Sequence, residues 1–333
     1  MRLACFELQD WEQEFLKSKF ESTVEISFHT ETLSSDNVSV ANDAEAIVVF
    51  IYSQINKGVL DQMPSLKFIA TMSTGFDHID IEECKRRNIV VSTVPTYGEN
   101  TVAEHAFALI FAISRRIIES HDRVRSGNFS PIGLTGFDLF GKTLGVVGVG
   151  NIGTHVIRIA KGIGMDVLAY KRTPDPKLAS DLGFRFVSLD ELLSTSDIIT
   201  IHVPYNPETH HMFNADAFAK MKDGVIIINT ARGGIIDTDA LVSSIQSGKV
   251  GAAGLDVLEE EKDLSEEHEL LHKDVQIEDL KTVLENHMLL NNPKVLITPH
   301  NAFNSREALQ RILNTTAENI MGFLTGTPKN VAY

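Results

Sequence analysis

The amino-acid sequence predicts an α/β protein of two doubly wound domains with parallel sheets. Three observations carry that prediction. Apolar, β-branched runs of four to seven residues recur along the chain and alternate with segments of helical period, the pattern of buried parallel strands and the helices that cross between them. The chain has 333 residues, more than the roughly 100–200 of a single domain. Its composition, 43% hydrophobic and 23% charged, is that of an ordinary globular chain with apolar surface enough for sizeable cores.

Taken in order, strands are predicted at 3–6, 46–51, 68–72 and 89–94 in a first series. A second series follows at 143–149, 167–170, 198–203, 225–229, 252–256 and 295–298. Between the two series Val102, Ala106, Leu109, Ile110, Ile113 and Ile117 recur at three- and four-residue spacing, which predicts one long helix from near Thr101 to the polar RVRSGNFS stretch. Thr101 and Glu104 read as a T-x-x-E capping box, as do Ser188 and Glu191. Asp237 and Gly248 bracket a further helix. The domain boundary is placed around residue 98, and a last helical pattern at 306–324, with no sheet of its own, is expected to fold back onto the first lobe.

Charge and apolar patterning exclude several classes. Lys and Arg number 30 against 45 Asp and Glu, a formal charge of −15, opposite to what a duplex-binding surface needs, so no nucleic-acid partner is expected. The most apolar stretches, 46–52 and 106–113, fall short of the roughly 18 residues of a spanning helix, and no membrane partner is expected. The opening MRLACFELQDWEQEF carries acids where a signal peptide has an apolar run, which points to the cytoplasm. Cys5 and Cys84, the only cysteines, are read as ordinary buried or half-buried thiols. EEEKDLSEEHE at 259–269 reads as a solvated surface. The histidines show no paired metal-ligand spacing, and no metal is predicted.

The chemistry begins at Gly148-Val149-Gly150-Asn151-Ile152-Gly153, a G-x-G-x-x-G. TLGVV before it is a buried-strand pattern and THVIRIAKGIGM after it is amphipathic, so Gly148, Gly150 and Gly153 stand where backbone approaches a dinucleotide pyrophosphate at a helix N-terminus. An NAD site places an acid about 20 residues on, at the end of the next strand. Here 167–170 is followed by Lys171, Arg172 and Thr173. Two cations in place of the acid favour a 2′-phosphate, and because an exposed pair is worth only about 0–1 kcal/mol, tolerance of NADP beside NAD is expected rather than exclusive use.

Reduction of a keto acid needs a cation for the carboxylate, a proton donor for the forming alkoxide, and a group that keeps the donor protonated. Arg232 follows the strand at 225–229 in NTARGG, with two glycines to give its planar fork room. His300 follows a strand's carboxyl end in TPHNAF, where doubly wound sheets hold ligands. Glu259, Glu260 and Glu261 follow the strand at 252–256, and a carboxylate beside an imidazole raises its pKa and fixes its tautomer. Alternation in an extended segment turns Glu259 and Glu261 one way and Glu260 the other, with spacing alone leaving the choice open.

As a set these motifs resemble the D-specific 2-hydroxyacid dehydrogenases, and within that family the D-lactate dehydrogenase members most. The matching pieces are STGFDHID (73–80), VPTYGENTVAEHAFALI (94–110), GNFSPIGLTGFDLFGKTLGVVGVGNIG (127–153), SDIITIHVP (196–204), INTARGGIIDTDAL (228–241), GLDVLEEE (254–261) and ITPHNAF (297–303). The resemblance covers nearly the whole chain. It implies two Rossmann-like domains, a flavodoxin-like substrate domain of residues 1–98 and 299–333 and an NAD-binding domain of 99–298, closing on one another, in a homodimer.

The resemblance also implies a catalytic set of Arg232, Glu261 and His300, selecting Glu261 from the three glutamates. Amides near Thr74 and Gly75 would help to bind the substrate carboxylate, and Tyr52, Tyr97 and Phe303 would crowd its side chain, favouring a group as small as the methyl of pyruvate. Cofactor contacts fall to Asn151 and Ile152 at the pyrophosphate, Val203 and Pro204 beside the adenosine, Thr209, the stretch Thr230, Ala231 and Arg232, and Asp256 near the carboxamide. The chain departs from the pattern of the D-lactate members it resembles at Met72, where Arg is usual, and at Lys171, where the acid is usual. The implied activity is reversible hydride transfer between NAD(P)H and a small 2-keto acid. The alternatives are another acid of that class, such as glyoxylate, hydroxypyruvate or a branched keto acid, and a non-catalytic NAD-sensing regulator, against which the intact Arg, Glu and His set argues.

Overall fold

The computed structural model describes residues 1–259 and 277–333, and these form two compact units, Met1–Tyr97 with Ser305–Tyr333, and Gly98–Asn304. The first unit holds strands β1 (Arg2–Cys5), β2 (Glu25–Phe28), β3 (Ala46–Val49), β4 (Phe68–Thr71) and β5 (Val90–Ser92) in the order β2-β1-β3-β4-β5. Every pairing is parallel, and the order is the one that places ligands at the β1/β3 switch point. β3 and β4 are buried at every position because helices cover both faces. β2 was not among the predicted runs. It is an edge strand whose EISF alternates exposed and half-buried residues, and so it lacks the continuous apolar signal of its neighbours.

Helices α1 (Asp10–Phe20), α2 (Lys57–Asp61) and α3 (Ile81–Arg86) belong to this unit. So does the C-terminal helix, Arg306–Leu324 as predicted. It packs on the first sheet, where Phe323 stacks on Phe68 with ring centroids 4.5 Å apart and the Asn319 side-chain amide donates to the Thr93 carbonyl at 2.8 Å.

The second unit carries β6 (Thr143–Val147), β7 (Asp166–Tyr170), β8 (Arg185–Phe186), β9 (Ile198–Ile201), β10 (Val225–Asn229), β11 (Val250–Leu255) and β12 (Val295–Ile297). Their order, β12-β11-β10-β9-β6-β7-β8, is all parallel and is that of a Rossmann sheet with one strand added. β9 and β10 are fully buried, as their isoleucine-rich runs require. β8, two residues at the other edge, escaped prediction for the same reason as β2.

Two helix expectations need correction. The long helix is two, α4 (Glu99–Arg115) and α5 (Ile117–Arg125), separated by Arg116 in a left-handed conformation at φ +50°. α4 buries Val102, Ala106, Leu109 and Ile110, whereas α5 buries nothing, so no core contact holds the second segment in line with the first. The start of α4 is also earlier than the Thr101–Glu104 box. Gly98 is the N-cap and Thr101 lies inside the first turn, with the Val102 N–H donating to the Gly98 carbonyl at 2.8 Å.

The remaining helices are α6 (Asn151–Gly162), α7 (Pro176–Leu182), α8 (Leu189–Thr195), α9 (Ala215–Lys220), α10 (Thr238–Ser247) and α11 (Ile277–Leu290), the C-terminal helix being α12. Ser188 caps α8 by accepting the Glu191 N–H at 3.2 Å, but the Glu191 carboxylate lies 3.7 Å from Arg185 Nη1 instead of returning to the Ser188 amide, so the predicted box is half formed. Asp237 and the left-handed Gly248 bound α10, as the sequence indicated. Cys5 and Cys84 are buried free thiols, and burial pushes the Cys84 thiol up to about 12. No helix among the described residues is long and apolar enough to cross a membrane.

Candidate active site

β6 runs into α6 through the glycine turn, and the three glycines answer to different constraints. Gly148 has φ +100°, and a Cβ there would lie 2.6 Å from the His202 carbonyl carbon and oxygen. Gly153 lets α6 approach its strand, since a Cβ would fall 2.1 Å from the Gly148 oxygen. Gly150, the N-cap of α6, has extended backbone and would meet no protein atom within 4 Å. The fold therefore demands glycine at the outer two positions and not at the middle one. A bare backbone ahead of a helix N-terminus that no side chain caps is a cradle that fits a pyrophosphate.

Beyond β7, Lys171 and Arg172 are both exposed. Arg172 Nη1 lies 2.9 Å from Glu208 Oε2, and no carboxylate pairs with Lys171 among the described residues. After β9, the Thr209 hydroxyl donates to the Pro204 carbonyl at 2.7 Å and accepts the Asn206 N–H at 2.9 Å, closing the turn that follows Val203. His202 is pushed down to about 3 by burial and is neutral near pH 7.

β10, β11 and β12 are paired in register through Asn229, Leu255 and Ile297. The turns after them thus lie side by side at the carboxyl edge of the sheet, where this fold holds ligands. Asn229 shapes the first turn, its side chain accepting the Ala231 N–H at 3.0 Å and donating to the Arg232 carbonyl at 2.9 Å. Arg232 is half-buried and extended, with Nη1 2.8 Å from the Ala231 oxygen. The two following glycines serve packing, not room for the guanidinium. A Cβ on Gly233 would fall 2.0 Å from the Leu258 oxygen, and one on Gly234 would fall 2.9 Å from the Tyr205 ring. The Thr230 hydroxyl is buried without a hydrogen-bond partner, a donor and acceptor fitted to a bound cofactor at this edge.

The third turn carries His300, half-buried and at φ +47°, a left-handed backbone that a non-glycine residue adopts at a cost of about 1–3 kcal/mol. Asp256, 1% exposed, grips that turn. Its backbone carbonyl accepts the His300 N–H at 2.9 Å. Its Oδ1 accepts the Thr298 hydroxyl at 2.5 Å and the Asn301 N–H at 3.0 Å, and its Oδ2 accepts the Ala302 N–H at 2.8 Å. Burial pushes this carboxyl up, but hydrogen bonds from His105, Thr298 and the Ala302 amide outweigh burial and hold it below the ordinary carboxylate value.

Of the three glutamates, Glu261 and Glu260 lie outside the described residues. Glu259 is tied by His211 Nε2 at 2.5 Å and by the Thr238 hydroxyl at 2.7 Å. His105 went unremarked in the sequence. Its signal was present, a titratable side chain among the core-facing Val102, Ala106 and Leu109 of α4.

In the first unit, Tyr52, Thr74 and Gly75 follow β3 and β4 at the carboxyl edge of the five-stranded sheet. The Glu7 carboxylate accepts the backbone N–H groups of Phe50, Tyr52 and Ser53 at 3.0, 3.0 and 3.1 Å and so fixes the Tyr52 turn. The Thr74 hydroxyl donates to the Val94 carbonyl at 2.7 Å, and the Ser73 hydroxyl to the Gly75 carbonyl at 2.6 Å. Met72 is buried. The Tyr97 carbonyl accepts Arg311 Nε at 2.5 Å, whereas Phe303 belongs to the second unit, half-buried just past the His300 turn.

Residues 107–302 match the family model described as D-isomer specific 2-hydroxyacid dehydrogenase, NAD binding domain. The chain is 37% identical to the D-lactate dehydrogenase of Escherichia coli over 329 residues, 98% of each protein. It is 35% identical to the glyoxylate reductase of Thermococcus litoralis over 291 residues, 85% of this chain and 82% of that one. Among solved structures, the D-lactate dehydrogenase of Aquifex aeolicus complexed with NAD and lactic acid is similar with a TM-score of 0.88 and 36% identity, covering 98% of this chain and 96% of the other.

Proposed function

Because this chain belongs to the D-isomer specific 2-hydroxyacid dehydrogenases, we propose that it reversibly reduces pyruvate, or a 2-keto acid of similar size, to the D-2-hydroxy acid. The observation that carries the reading is the placement of the Arg232 and His300 turns after strands of one paired set, at the carboxyl edge of the sheet that also bears the glycine cradle. Arg232 holds the substrate carboxylate by its planar fork. His300 donates a proton to the carbonyl oxygen as it becomes an alkoxide, and Glu261 keeps the imidazole charged. Backbone amides at Thr74 and Gly75 add to the grip on the carboxylate, and Tyr52, Tyr97 and Phe303 restrict the side chain to a small group. A bound nicotinamide dinucleotide supplies the hydride. Gly148, Gly150, Asn151, Ile152 and Gly153 hold its pyrophosphate, Val203, Pro204 and Thr209 its adenosine half, and Thr230, Ala231 and Asp256 its nicotinamide half.

NAD is the expected cofactor, with NADPH accepted beside NADH because Lys171 stands where an acid would repel the 2′-phosphate, while Glu208 offsets part of the charge of Arg172. Phe129, Ile132 and Phe140 are large apolar side chains 78%, 83% and 80% exposed, and a homodimer is expected by sedimentation.

The test is loss of reduced nicotinamide on adding pyruvate, with NADH and NADPH in parallel and the hand of the product resolved by chiral chromatography. His300→Gln is expected to lower turnover about 10²–10⁴-fold, the usual share of general acid catalysis. Full turnover by that variant removes the role. If pyruvate is inert while glyoxylate or a branched keto acid is reduced, the second reading holds, which Met72 in place of Arg favours.

A further inference from the structure

We propose that His105 is a positioning residue for His300, acting through Thr298 and Asp256. His105 sits on α4, distant in sequence from the His300 turn, and its Nε2 reaches two atoms that hold that turn. It lies 3.0 Å from the Thr298 hydroxyl oxygen and 3.3 Å from Asp256 Oδ1. The Thr298 hydroxyl gives its hydrogen to Asp256 Oδ1, and the carboxylate has none to give. Nε2 therefore carries the hydrogen and both neighbours accept it, which fixes the tautomer.

The consequence follows from the strain at the turn. His300 has φ +47° with no glycine to relieve it, so the conformation persists only while its surroundings impose it. The imposing contacts come from Asp256, whose two oxygens hold the amides of Asn301 and Ala302 and whose backbone carbonyl holds the amide of His300. His105 is the side chain on a separate helix that fixes both this carboxylate and the Thr298 hydroxyl. Removing its donor lets Thr298 and the carboxylate rotate, and the imidazole of His300 loses its aim at the substrate oxygen. A histidine that only filled the core would need none of these acceptors.

The inference rests on His300 being the proton donor. The experiment compares His105→Leu, which deletes the donor, with His105→Gln, whose side-chain amide reaches the position of Nε2. Turnover with pyruvate, or with whichever keto acid proves active, is measured with KM, dinucleotide affinity by fluorescence, and the His300 ring signal in protein carrying ¹³C-labelled histidine, assigned by its loss in His300→Gln. His105→Leu is expected to lower kcat about 10- to 100-fold, the scale of a small misplacement of a reacting group. KM and dinucleotide affinity are expected to change little, the His300 signal to shift, and His105→Gln to restore most of both.

Wild-type kcat in His105→Leu, an unmoved His300 signal, or His105→Gln as slow as His105→Leu overturns the proposal. Should His105→Leu fail to fold, Thr298→Val cuts the same path by removing one hydroxyl and carries the same expectation. Full turnover by His300→Gln instead removes the donor assignment, while the ring signal still reports whether His105 positions that residue.

Discussion

Asp256→Asn is the perturbation whose cost the structure defines most closely. The carboxylate satisfies four donors, Thr298 Oγ1, the Asn301 N–H and His105 Nε2 on one oxygen and the Ala302 N–H on the other, at a residue 1% exposed. Asparagine has one acceptor oxygen. With that oxygen toward Thr298, Asn301 and His105, its NH2 confronts the Ala302 amide, and flipped it confronts the other three. Either way a buried donor is left without an acceptor, at about 1–3 kcal/mol. Taking about 2 kcal/mol, the melting temperature of a unit of this size falls by about 4–8 °C.

The acid dependence supplies a sign to check. The folded-state pKa of Asp256 is depressed, so its stabilisation is complete above the unfolded carboxyl value of about 3.9 and is lost as pH falls through the lower folded value. Calorimetry should thus show the full gap between wild type and Asp256→Asn at pH 7, narrowing below about pH 4. Equal melting temperatures at pH 7, or a gap that widens in acid, refute the reasoning.

Gly150→Ala and Gly148→Ala should part company. The first meets no protein atom within 4 Å and is expected to melt with the wild type while dinucleotide affinity, followed by fluorescence, falls at least about tenfold through lost backbone approach; the second, at φ +100° and 2.6 Å from the His202 carbonyl, is expected to lower stability itself by at least roughly 1–2 kcal/mol. Lys171→Asp is expected to lower the ratio of NADPH- to NADH-dependent rates about tenfold, since reversing an exposed charge changes each pairing by about 1 kcal/mol, and an unchanged ratio shows that the side chain does not face the ribose. Asn319→Ala, which removes a fully buried amide donating to the Thr93 carbonyl at 2.8 Å and accepting from Asn330 at 2.8 Å, is expected to cost about 1–3 kcal/mol in urea unfolding.

What the sequence made legible and what it did not divide along a physical line. β9 and β10 are buried at every position and announce themselves by isoleucine-rich, largely apolar runs, and the glycine turn is legible because two of its positions admit no side chain at all. β2 and β8 lie at sheet edges with exposed residues, so the same criterion passes over them. Arg116 and His300 both take left-handed backbone without the glycine or asparagine that would advertise it. In each case the cause is absent from the local sequence. α5 buries nothing that would continue α4, and the His300 turn is held by a carboxylate more than 40 residues away along the chain and, through it and Thr298, by a histidine 193 residues before Thr298. A motif shows which side chains chemistry needs, because those types are few and their spacing after a strand is short. The groups that hold them in place are chosen by tertiary proximity, so a histidine on an apolar helix face reads as core until its acceptors are known. For this chain the boundary between the two kinds of knowledge falls between His300 and His105.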